Sequence, residues 1–347
     1  MEQTIRVKKK MALWLKLTII FCSIIVGILA IFGGAIGYFK LSVNKYYRAS
    51  EKGFKIPEIG GGYVPQGLHY DEATEQFVLA GYMTDHSASP VYLVNDKGEL
   101  VKKVTLKMPD GSDYVGHGGG IAIGGMYVYV TGGEDACLYV YNYADLLSAK
   151  TGDKLDCVGV FSLKVSDDDY IENAFVTIYG DRLITGEFYR EGSYPTLNSH
   201  KFNTKAGDYN QALAVEYKLD KTQPCGIDAN VVKAYSLPDQ VQGLSVYNNK
   251  IYLSTSWSVS FSHILEYDIT KLNSEGNIKV LGQQTQLFAL DSASLVYDYK
   301  VAPMSEEMAF VNGKLYINCE SACNKYIFGK FTGGKWIYKT DLSEMVK

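Results

Sequence analysis

The sequence has few of the residues that staple small domains or bind zinc. It contains only six cysteines in 347 residues, and a chain of this length can bury a core without disulfides. Cys137 with Cys157 and Cys319 with Cys323 are candidate bridges in an oxidising compartment. The five histidines have no ligand spacing, so we expect no dedicated zinc site. The sequence does not exclude calcium as a cofactor, because calcium uses scattered oxygen ligands and leaves no obligatory motif.

Positive charge is also scarce after the N-terminus. Residues 51–347 contain 26 Lys and Arg against 37 Asp and Glu, a net charge of −11. Nucleic-acid affinity comes from neutralising phosphates, so this balance argues against a nucleic-acid partner. Neutral glycans, cations or basic partners are compatible with it.

One long hydrophobic run stands apart from the rest. Residues 17–39 contain no charged side chain, and Arg6, Lys8, Lys9 and Lys10 precede them. Twenty-three uncharged residues are enough to cross a bilayer with some tilt. The basic cluster predicts a cytoplasmic N-terminus and an exported C-terminal region. We therefore predict a single-pass signal-anchor in the cell membrane, with a cleaved signal peptide as the alternative.

These features divide the chain into four parts. Residues 1–11 form a short basic cytoplasmic tail, and residues 12–39 form the transmembrane signal-anchor. Residues 40–54 are assigned to a linker, and residues 55–347 to an extracytoplasmic domain.

The exported region contains a repeat of pattern. Five segments begin with polar residues, continue as a short apolar strand, turn at Asp, Asn or Gly, and return as a second strand; they start at residues 64, 116, 171, 241 and 305. The "YNNK" and "VNGK" turns favour tight hairpins, because Asn and Gly tolerate positive φ. Two further strands follow each hairpin, at 326–342 in the last unit.

Five four-stranded units at this spacing predict a β-propeller. The marker residues of successive units lie 51 to 70 residues apart, which is one blade plus loop insertions. We predict an all-β, five-bladed propeller preceded by one transmembrane helix, with six blades as the main alternative and a β-sandwich as a weaker one. Residues 53–59 resemble an extra outer strand that could pair with the last blade and close the ring.

Polar residues at the starts of the first strands would converge on the central channel. These candidate binding residues are Gln66, His117, Glu172, Asn173, Gln242, Glu306 and Glu307, with Glu320 from a neighbouring strand. Such a ring of amides, carboxylates and an imidazole is a candidate site for a small molecule, glycan or protein. The alternative is a water-filled channel whose polar residues satisfy only backbone and solvent.

A carboxylate-dependent reaction is a second hypothesis for this ring. Glycoside hydrolysis needs two nearby carboxylates, one with a raised pKa. Adjacent strand residues point to opposite faces, so Glu307 with Glu172, or Glu307 with Glu320, are better pairs than Glu306 with Glu307. The sequence does not decide whether the protein is an enzyme.

The mouth of the channel has further candidates. Tyr82, Phe188 and Trp257 occupy matching places and could form an aromatic rim. The polar stretch 190–211 contains His200 and is expected to form a loop over the mouth. "SDDDY" at 166–170 is more typical of a solvated acidic turn than of a calcium site.

With "VPQGL", "VQGL", "MSEEM" and "GKLYINCES" in phase, the exported region resembles bacterial secreted or membrane-anchored β-propeller proteins of unassigned function. That resemblance implies blade architecture and carries over no catalytic residue. The sequence therefore favours an anchored binding module. A carbohydrate hydrolase or lyase is the alternative, and a structural scaffold is a third.

Overall fold

The computed structural model describes residues 11–326 and 328–347, and the chain forms two compact units. The first is Met1–Asn44 and the second is Lys45–Lys347. The first contains the helix Leu13–Ser42, none of whose residues is buried, and a five-residue helix, Asn44–Arg48, follows it. By length and a mean hydropathy of 2.7 the long helix could cross a membrane. Most of the predicted basic tail lies outside the described residues.

The second unit is a ring of five antiparallel blades, which confirms the predicted fold class. Blade 1 contains Tyr63–Asp71, Gln76–Met83, Pro90–Asn95 and Leu100–Leu106. Blade 2 contains Ile121–Gly124, Tyr127–Thr131, Cys137–Asn142 and Cys157–Ser162. Blade 3 contains Asn173–Tyr179, Arg182–Glu187, Ala212–Leu219 and Ile227–Leu237. Blade 4 contains Val241–Tyr247, Lys250–Thr255, Ser262–Asp268 and Leu295–Val301. Blade 5 contains Ser305–Val311, Lys314–Cys319, Trp336–Thr340 and Ser50–Lys55. Residues 11–326 and 328–347 contain no sixth blade.

Blade 5 is completed by the N-terminal strand of the propeller. Ser50–Lys55 pairs antiparallel with Trp336–Thr340, with Phe54 opposite Ile337. The ring-closing strand predicted at 53–59 is therefore present, three residues earlier, and it starts in the stretch assigned to the linker. The prediction of two strands within 326–342 was wrong, because Gly329–Thr332 is a helix and only Trp336–Thr340 extends. The glycines of "FTGGKW" favour a helix end there, and Gly333 has a φ of 100°.

The hairpin turns follow the predicted chemistry. Asn248, Asn249 and Asn312 have φ values of 49°, 57° and 49°, and Gly313 has 78°. These left-handed conformations match the right-handed twist of the flanking strands, so the turns fix the register of the first two strands in blades 4 and 5.

Blade 3 carries two additional strands from the connection within blade 4. Gln283–Ala289 pairs parallel with Ile227–Leu237, and Ser274–Val280 pairs antiparallel beyond it. The tip of this hairpin is held by Asp169, whose carboxylate accepts hydrogen bonds from the backbone N–H groups of Leu281 and Gly282 at 2.5 and 2.7 Å. The acidic stretch 166–170 is therefore hydrogen-bonded, through Asp169, to the tip of the hairpin inserted in blade 4.

The remaining elements are short. They are the strands Lys154–Leu155, Lys164–Ser166, Asp169–Tyr170, Phe202–Asn203 and Tyr209–Asn210, the helices Tyr143–Ser148, Gly329–Thr332 and Leu342–Val346, and the 3-10 turns Asn198–His200, Pro224–Gly226 and Ile269–Lys271.

The core lies between neighbouring blades. Tyr129 and Leu138 of blade 2, for example, pack with Val176, Leu213 and Val215 of blade 3. Because each blade covers the apolar face of the next, the five first strands are held in one orientation around the central channel.

Candidate functional site

One carboxylate spans the central channel. Glu307, on the first strand of blade 5, accepts hydrogen bonds from the backbone N–H groups of Leu68, Ile121 and Val176, at 2.9, 3.2 and 3.0 Å. These donors belong to the first strands of blades 1, 2 and 3. A single side chain that reaches three other blades lies at the axis, so Glu307 separates the channel into two parts.

The first strands offer these donors because each is the inner edge of its blade. The register also shifts close to two of the donors, between Pro65 and Leu68 in blade 1 and between Asn173 and Phe175 in blade 3. An edge strand has N–H groups without a ladder partner, and buried N–H groups need another acceptor. Glu307 supplies that acceptor.

Glycine makes room for the carboxylate. A Cβ added to Gly120 would lie 2.5 Å from Glu307 Oε1 and 2.4 Å from Val176 N, and one added to Gly243 would lie 2.7 Å from Glu307 Cα. Glu307 stands in phase with Gly67, Gly120 and Gly243 of other blades. One long side chain therefore fills the space that small residues leave around the axis.

Two opposing effects act on the Glu307 carboxyl. Burial raises its pKa to about 8, while the three backbone N–H donors lower it, since they stabilise the charged form. Its hydrogen bonds to three other blades give Glu307 a structural role, and it also lines the cavity on one side of the channel. The predicted pairs of Glu307 with Glu172 or with Glu320 have no support in this geometry.

On one side of Glu307 the channel widens into a cavity of about 1030 Å³. We call it the funnel; His69, Val176, Tyr247 and Phe310 are among the residues that line it. Its walls are the ends of the first strands and their hairpin turns. The predicted ring residues other than Glu307 lie on the opposite side, at the strand starts, which we call the mouth.

The mouth contains a pair of carboxyl groups on blade 5. Glu306 precedes Glu307, and Glu320 follows the second strand, whose last residue Cys319 pairs with Ser305. Glu306 is only 2% exposed. Among the described residues no hydrogen-bond donor to the Glu306 carboxyl is present, whereas Glu320 Oε2 accepts from Gln66 Nε2 at 2.9 Å.

Both acids of the pair have raised pKa values. The pKa of Glu306 lies well above its ordinary value, first because of burial and then because of the nearby charge of Glu320. Burial raises the pKa of Glu320 to about 7, against the lowering effects of Lys325 and of the Gln66 hydrogen bond. The pair therefore retains a proton at neutral pH.

Hydrogen bonds from Asn318 hold the backbone of Gln66 in place. Asn318 Nδ2 donates to the carbonyl oxygens of Gln66 and Gly67, at 3.0 and 3.3 Å. Blade 1 and blade 5 are thereby joined directly beside the acid pair. The position of the Gln66 amide is fixed independently of any ligand.

An aromatic wall faces the acid pair. The ring of Tyr82 stacks on His117 with a centroid distance of 4.5 Å, and Lys325 Nζ donates to Tyr82 Oη at 2.6 Å. The Lys325 ammonium also lies 5.1 Å from the Tyr82 ring centroid and 5.2 Å from that of Tyr326. Burial, followed by the Lys325 charge, lowers the pKa of His117, so its imidazole is neutral at pH 7.

The other ring residues occupy different surroundings. Glu172 is exposed, and partial burial and the charge of Glu187 raise its pKa. Asn173 is fully buried and donates to Thr185 Oγ1 at 3.3 Å, while its Oδ1 has no partner among the described residues. Gln242 is partly exposed at the start of blade 4. These three side chains belong to the mouth but have no contact with the acid pair in the described part of the chain.

The rim residues divide into two groups. Phe188 and Trp257 lie 6.1 Å apart and both contact Tyr194, at 5.3 and 6.0 Å, with Arg190 over Trp257 at 5.3 Å. Tyr194 is 47% exposed, so this cluster presents an aromatic surface. Tyr82 is separate and belongs to the wall beside the acid pair.

His200 is buried and is not a rim residue. Its Nδ1 lies 2.9 and 3.0 Å from the two carboxylate oxygens of Glu187, and Leu213 N donates to Glu187 Oε2 at 2.9 Å. Both side chains of the pair are at most 2% exposed. His200 therefore pins the 190–211 loop to blade 3.

Neither predicted disulfide is formed. All six cysteines are free. Residues 11–326 and 328–347 contain no cluster of three or more His, Cys, Asp or Glu side chains arranged to hold a metal. The structure thus brings together Gln66, Glu306, Glu320, Tyr82 and His117, and adds Lys325 and Tyr326 to them.

Lys325, Tyr326 and Asn318 are the mouth residues that sequence reasoning missed. Lys325 and Tyr326 follow the second strand of blade 5 in a stretch without strand periodicity, and they lie close to Glu320 only because the chain turns back there. Asn318, two residues before Glu320, had the same signal as Gln66: a polar side chain at the mouth end of an apolar strand.

No protein-family model and no curated protein sequence matches the chain. Among solved structures it is similar to a glutaminyl cyclase from Myxococcus xanthus, with 12% identity, a TM-score of 0.42, and coverage of 84% of this chain and 93% of that one. It is similar to the tail fibre of Staphylococcus aureus phage P68, with 14% identity, a TM-score of 0.47, and coverage of 86% and 54%. A protein of unknown function from Bacteroides caccae has 10% identity, a TM-score of 0.37, and coverage of 66% and 72%.

Proposed function

We propose that this protein is a membrane-anchored binding module that holds a small molecule, glycan or protein segment at the mouth of the propeller. The observation that supports this most strongly is Glu306, a carboxyl that is 2% exposed and has no hydrogen-bond donor among the described residues.

Glu307, one residue away, meets three backbone donors and shows what a structural acid looks like in the same blade. Glu306 instead faces Glu320, whose own carboxylate is oriented by Gln66. Orientation of part of the site before a ligand arrives is typical of binding pockets.

The binding hypothesis is tested with the full chain kept in detergent micelles. Small molecules and oligosaccharides are screened by saturation-transfer NMR, and each ligand found is titrated against Glu306→Gln and against Glu72→Gln, which alters an exposed acid on the funnel side. We expect Glu306→Gln to weaken binding about tenfold or more, since a charge-assisted hydrogen bond is worth about 1.5 to 3 kcal/mol. Ligands that bind both variants as they bind the unaltered protein would count against the proposal.

Anchoring is proposed from the helix Leu13–Ser42 and the basic residues before it. The basic residues predict an orientation in which the propeller lies outside the cytoplasm. We expect the protein to remain in the membrane fraction after alkaline extraction, and protease added to intact cells to digest the propeller. A full-length propeller released into the medium would contradict the anchor.

A carbohydrate hydrolase is the second candidate, and the acid pair favours it. Both carboxyl groups have raised pKa values, and a carboxyl that keeps its proton near neutral pH can serve as a general acid beside a second carboxylate. We expect an enzyme to lose turnover on a panel of glycosides in both Glu306→Gln and Glu320→Gln. Inactivity of the unaltered protein across that panel would exclude this reaction for the substrates used.

A further inference from the structure

The acid pair has a chemistry that selects among ligand classes, provided that the mouth is a binding site as proposed above. We propose that the group held between Glu306 and Glu320 is a primary ammonium, as found on amines, amino sugars and peptide N-termini.

Hydrogen-bonding capacity supports this assignment. A primary ammonium has three N–H donors and no acceptor. Of the four carboxylate oxygens of the pair, Glu320 Oε2 already accepts from Gln66. Within the described residues no donor serves the other three oxygens, so the pair has at least the three acceptor sites that a primary ammonium needs.

The charges at the mouth favour a monovalent cation. When ionised, Glu306 and Glu320 carry two negative charges, and Lys325 lies close enough to lower the pKa of Glu320. Tyr82 and Cys323 are neutral at pH 7 because burial raises their pKa, and His117 is neutral because its pKa is lowered. The acid pair and Lys325 then carry one net negative charge between them, which a single ammonium would neutralise, and the carboxyl groups of Glu134 and Glu172 lie nearby.

A divalent metal fits less well. It would leave a net positive charge in a buried site, which is costly. Residues 11–326 and 328–347 also lack a third carboxylate, thiolate or imidazole suitably placed to complete a metal site. Calcium in particular takes six to eight oxygen ligands.

The wall of the mouth already accommodates an ammonium group. Lys325 Nζ lies 5.2 Å from the centroid of the Tyr326 ring, within the range of cation–π attraction, and donates to the Tyr82 hydroxyl. The aromatic faces beside the acid pair therefore suit a cationic ligand and the carbon atoms next to its charge.

The test uses the full chain in detergent micelles and isothermal titration with n-propylammonium chloride at pH 7. The titration is repeated in buffers of different ionisation enthalpy, which reports the protons released on binding. Because the empty pair retains a proton that the ammonium displaces, we expect release of about one proton per site. Tetramethylammonium has the charge but no N–H donor, and we expect it to bind about tenfold or more weakly.

Variants locate the site. Glu306→Gln and Glu320→Gln should each weaken n-propylammonium binding about tenfold or more and abolish proton release, while Glu72→Gln on the funnel side should match the unaltered protein. Circular dichroism and urea unfolding show whether each variant is folded. Should Glu306→Gln fail to fold, Glu320→Gln and the tetramethylammonium comparison still decide the outcome.

Different results would contradict the ammonium assignment and the binding function. If n-propylammonium does not bind, or binds without sensitivity to Glu306 and Glu320, while a neutral or anionic ligand does bind at the mouth, the ammonium assignment is wrong and the binding function stands. Tighter binding of calcium chloride than of n-propylammonium would also overturn the assignment. If no compound of the screen binds at the mouth, the binding function itself is contradicted.

Discussion

Glu306 and Glu307 are adjacent and equally buried, but the groups that surround their carboxyls differ. The bulge in the first strand of blade 5, between Ser305 and Met308, directs one of them into the axis and leaves the other at the mouth. Glu307 is surrounded by backbone donors, and Glu306 by another acid. The same type of side chain therefore contacts the backbone of three blades at one position and, in the proposal above, a ligand at the next.

This contrast predicts opposite effects of the same substitution. In Glu307→Gln an NH₂ group replaces one of the two oxygens that face backbone N–H donors, so we expect a loss of about 2 to 4 kcal/mol in the free energy of unfolding. Glu306→Gln removes repulsion from Glu320 and should change that free energy by less than about 1 kcal/mol or increase it. Urea unfolding of both variants measures this. A larger loss in Glu306→Gln than in Glu307→Gln would show that the two roles are assigned the wrong way round.

At the scale of elements, the outer strand of blade 5 seals the ring. Phe54, 3% exposed, contacts Phe77 of blade 1 with a centroid distance of 4.9 Å. The turn at Gly98 in blade 1 also lies against it, since a Cβ on Gly98 would be 2.5 Å from the Phe54 Cβ. The strand thus pairs with blade 5 and packs on blade 1.

Removal of this contact should weaken the whole ring. We expect Phe54→Ala to lower the free energy of unfolding by about 3 to 5 kcal/mol, as for other buried aromatic residues. Leu100→Ala is the control, because Leu100 lies on the outer strand of blade 1 and is 48% exposed. Thermal and urea unfolding report both. Equal stability of the two variants would mean that the ring does not depend on its N-terminal strand.

The sequence predicted the blades well because their signals are local. Alternating apolar residues and the Asn and Gly turns determine hairpins without reference to the rest of the chain. The two strands added to blade 3 were not predictable, because Ser274–Val280 and Gln283–Ala289 pair with a blade other than the one whose connection contains them. The helix Gly329–Thr332 was predicted as a strand because "YIFGKF" is apolar enough for one.

The sequence named candidate site residues but not the contacts between them. The phase of Glu307 with Gly67 and Gly243 marked it as exceptional, but its three donors come from three other blades and have no sequence signal. The proximity of Glu320 to Glu306 follows from strand pairing and could be expected. The position of Lys325 over two tyrosines could not, because it results from a turn of irregular backbone.

At the scale of the whole molecule, buried acids link stability to pH. Glu320 and Glu307 have pKa values raised to about 7 and about 8, and that of Glu306 is higher than usual. A raised acid pKa means that the folded protein binds more protons than the unfolded chain, so stability falls as pH rises through the folded value. His69, with its pKa lowered to about 4, contributes in the opposite direction but below pH 6.5.

We therefore expect the free energy of unfolding to fall by on the order of 2 kcal/mol between pH 6.5 and 8.5. Urea unfolding at several pH values measures this, and the double variant Glu306→Gln with Glu320→Gln should have a shallower slope. Stability that rises across this interval, or an unchanged slope in the double variant, would show that these acids are ionised in the folded protein.

The mouth, at Glu306, is the place where we propose that this protein binds its ligand. The direct measurement is a crystal structure of the protein with a ligand from the screen, n-propylammonium included. We expect a ligand atom within hydrogen-bond distance of the Glu306 carboxylate, with Gln66 still bound to Glu320 and Glu307 still bound to its three backbone donors. Ligand found only in the funnel or on the Trp257 cluster, with the mouth empty, would contradict the account.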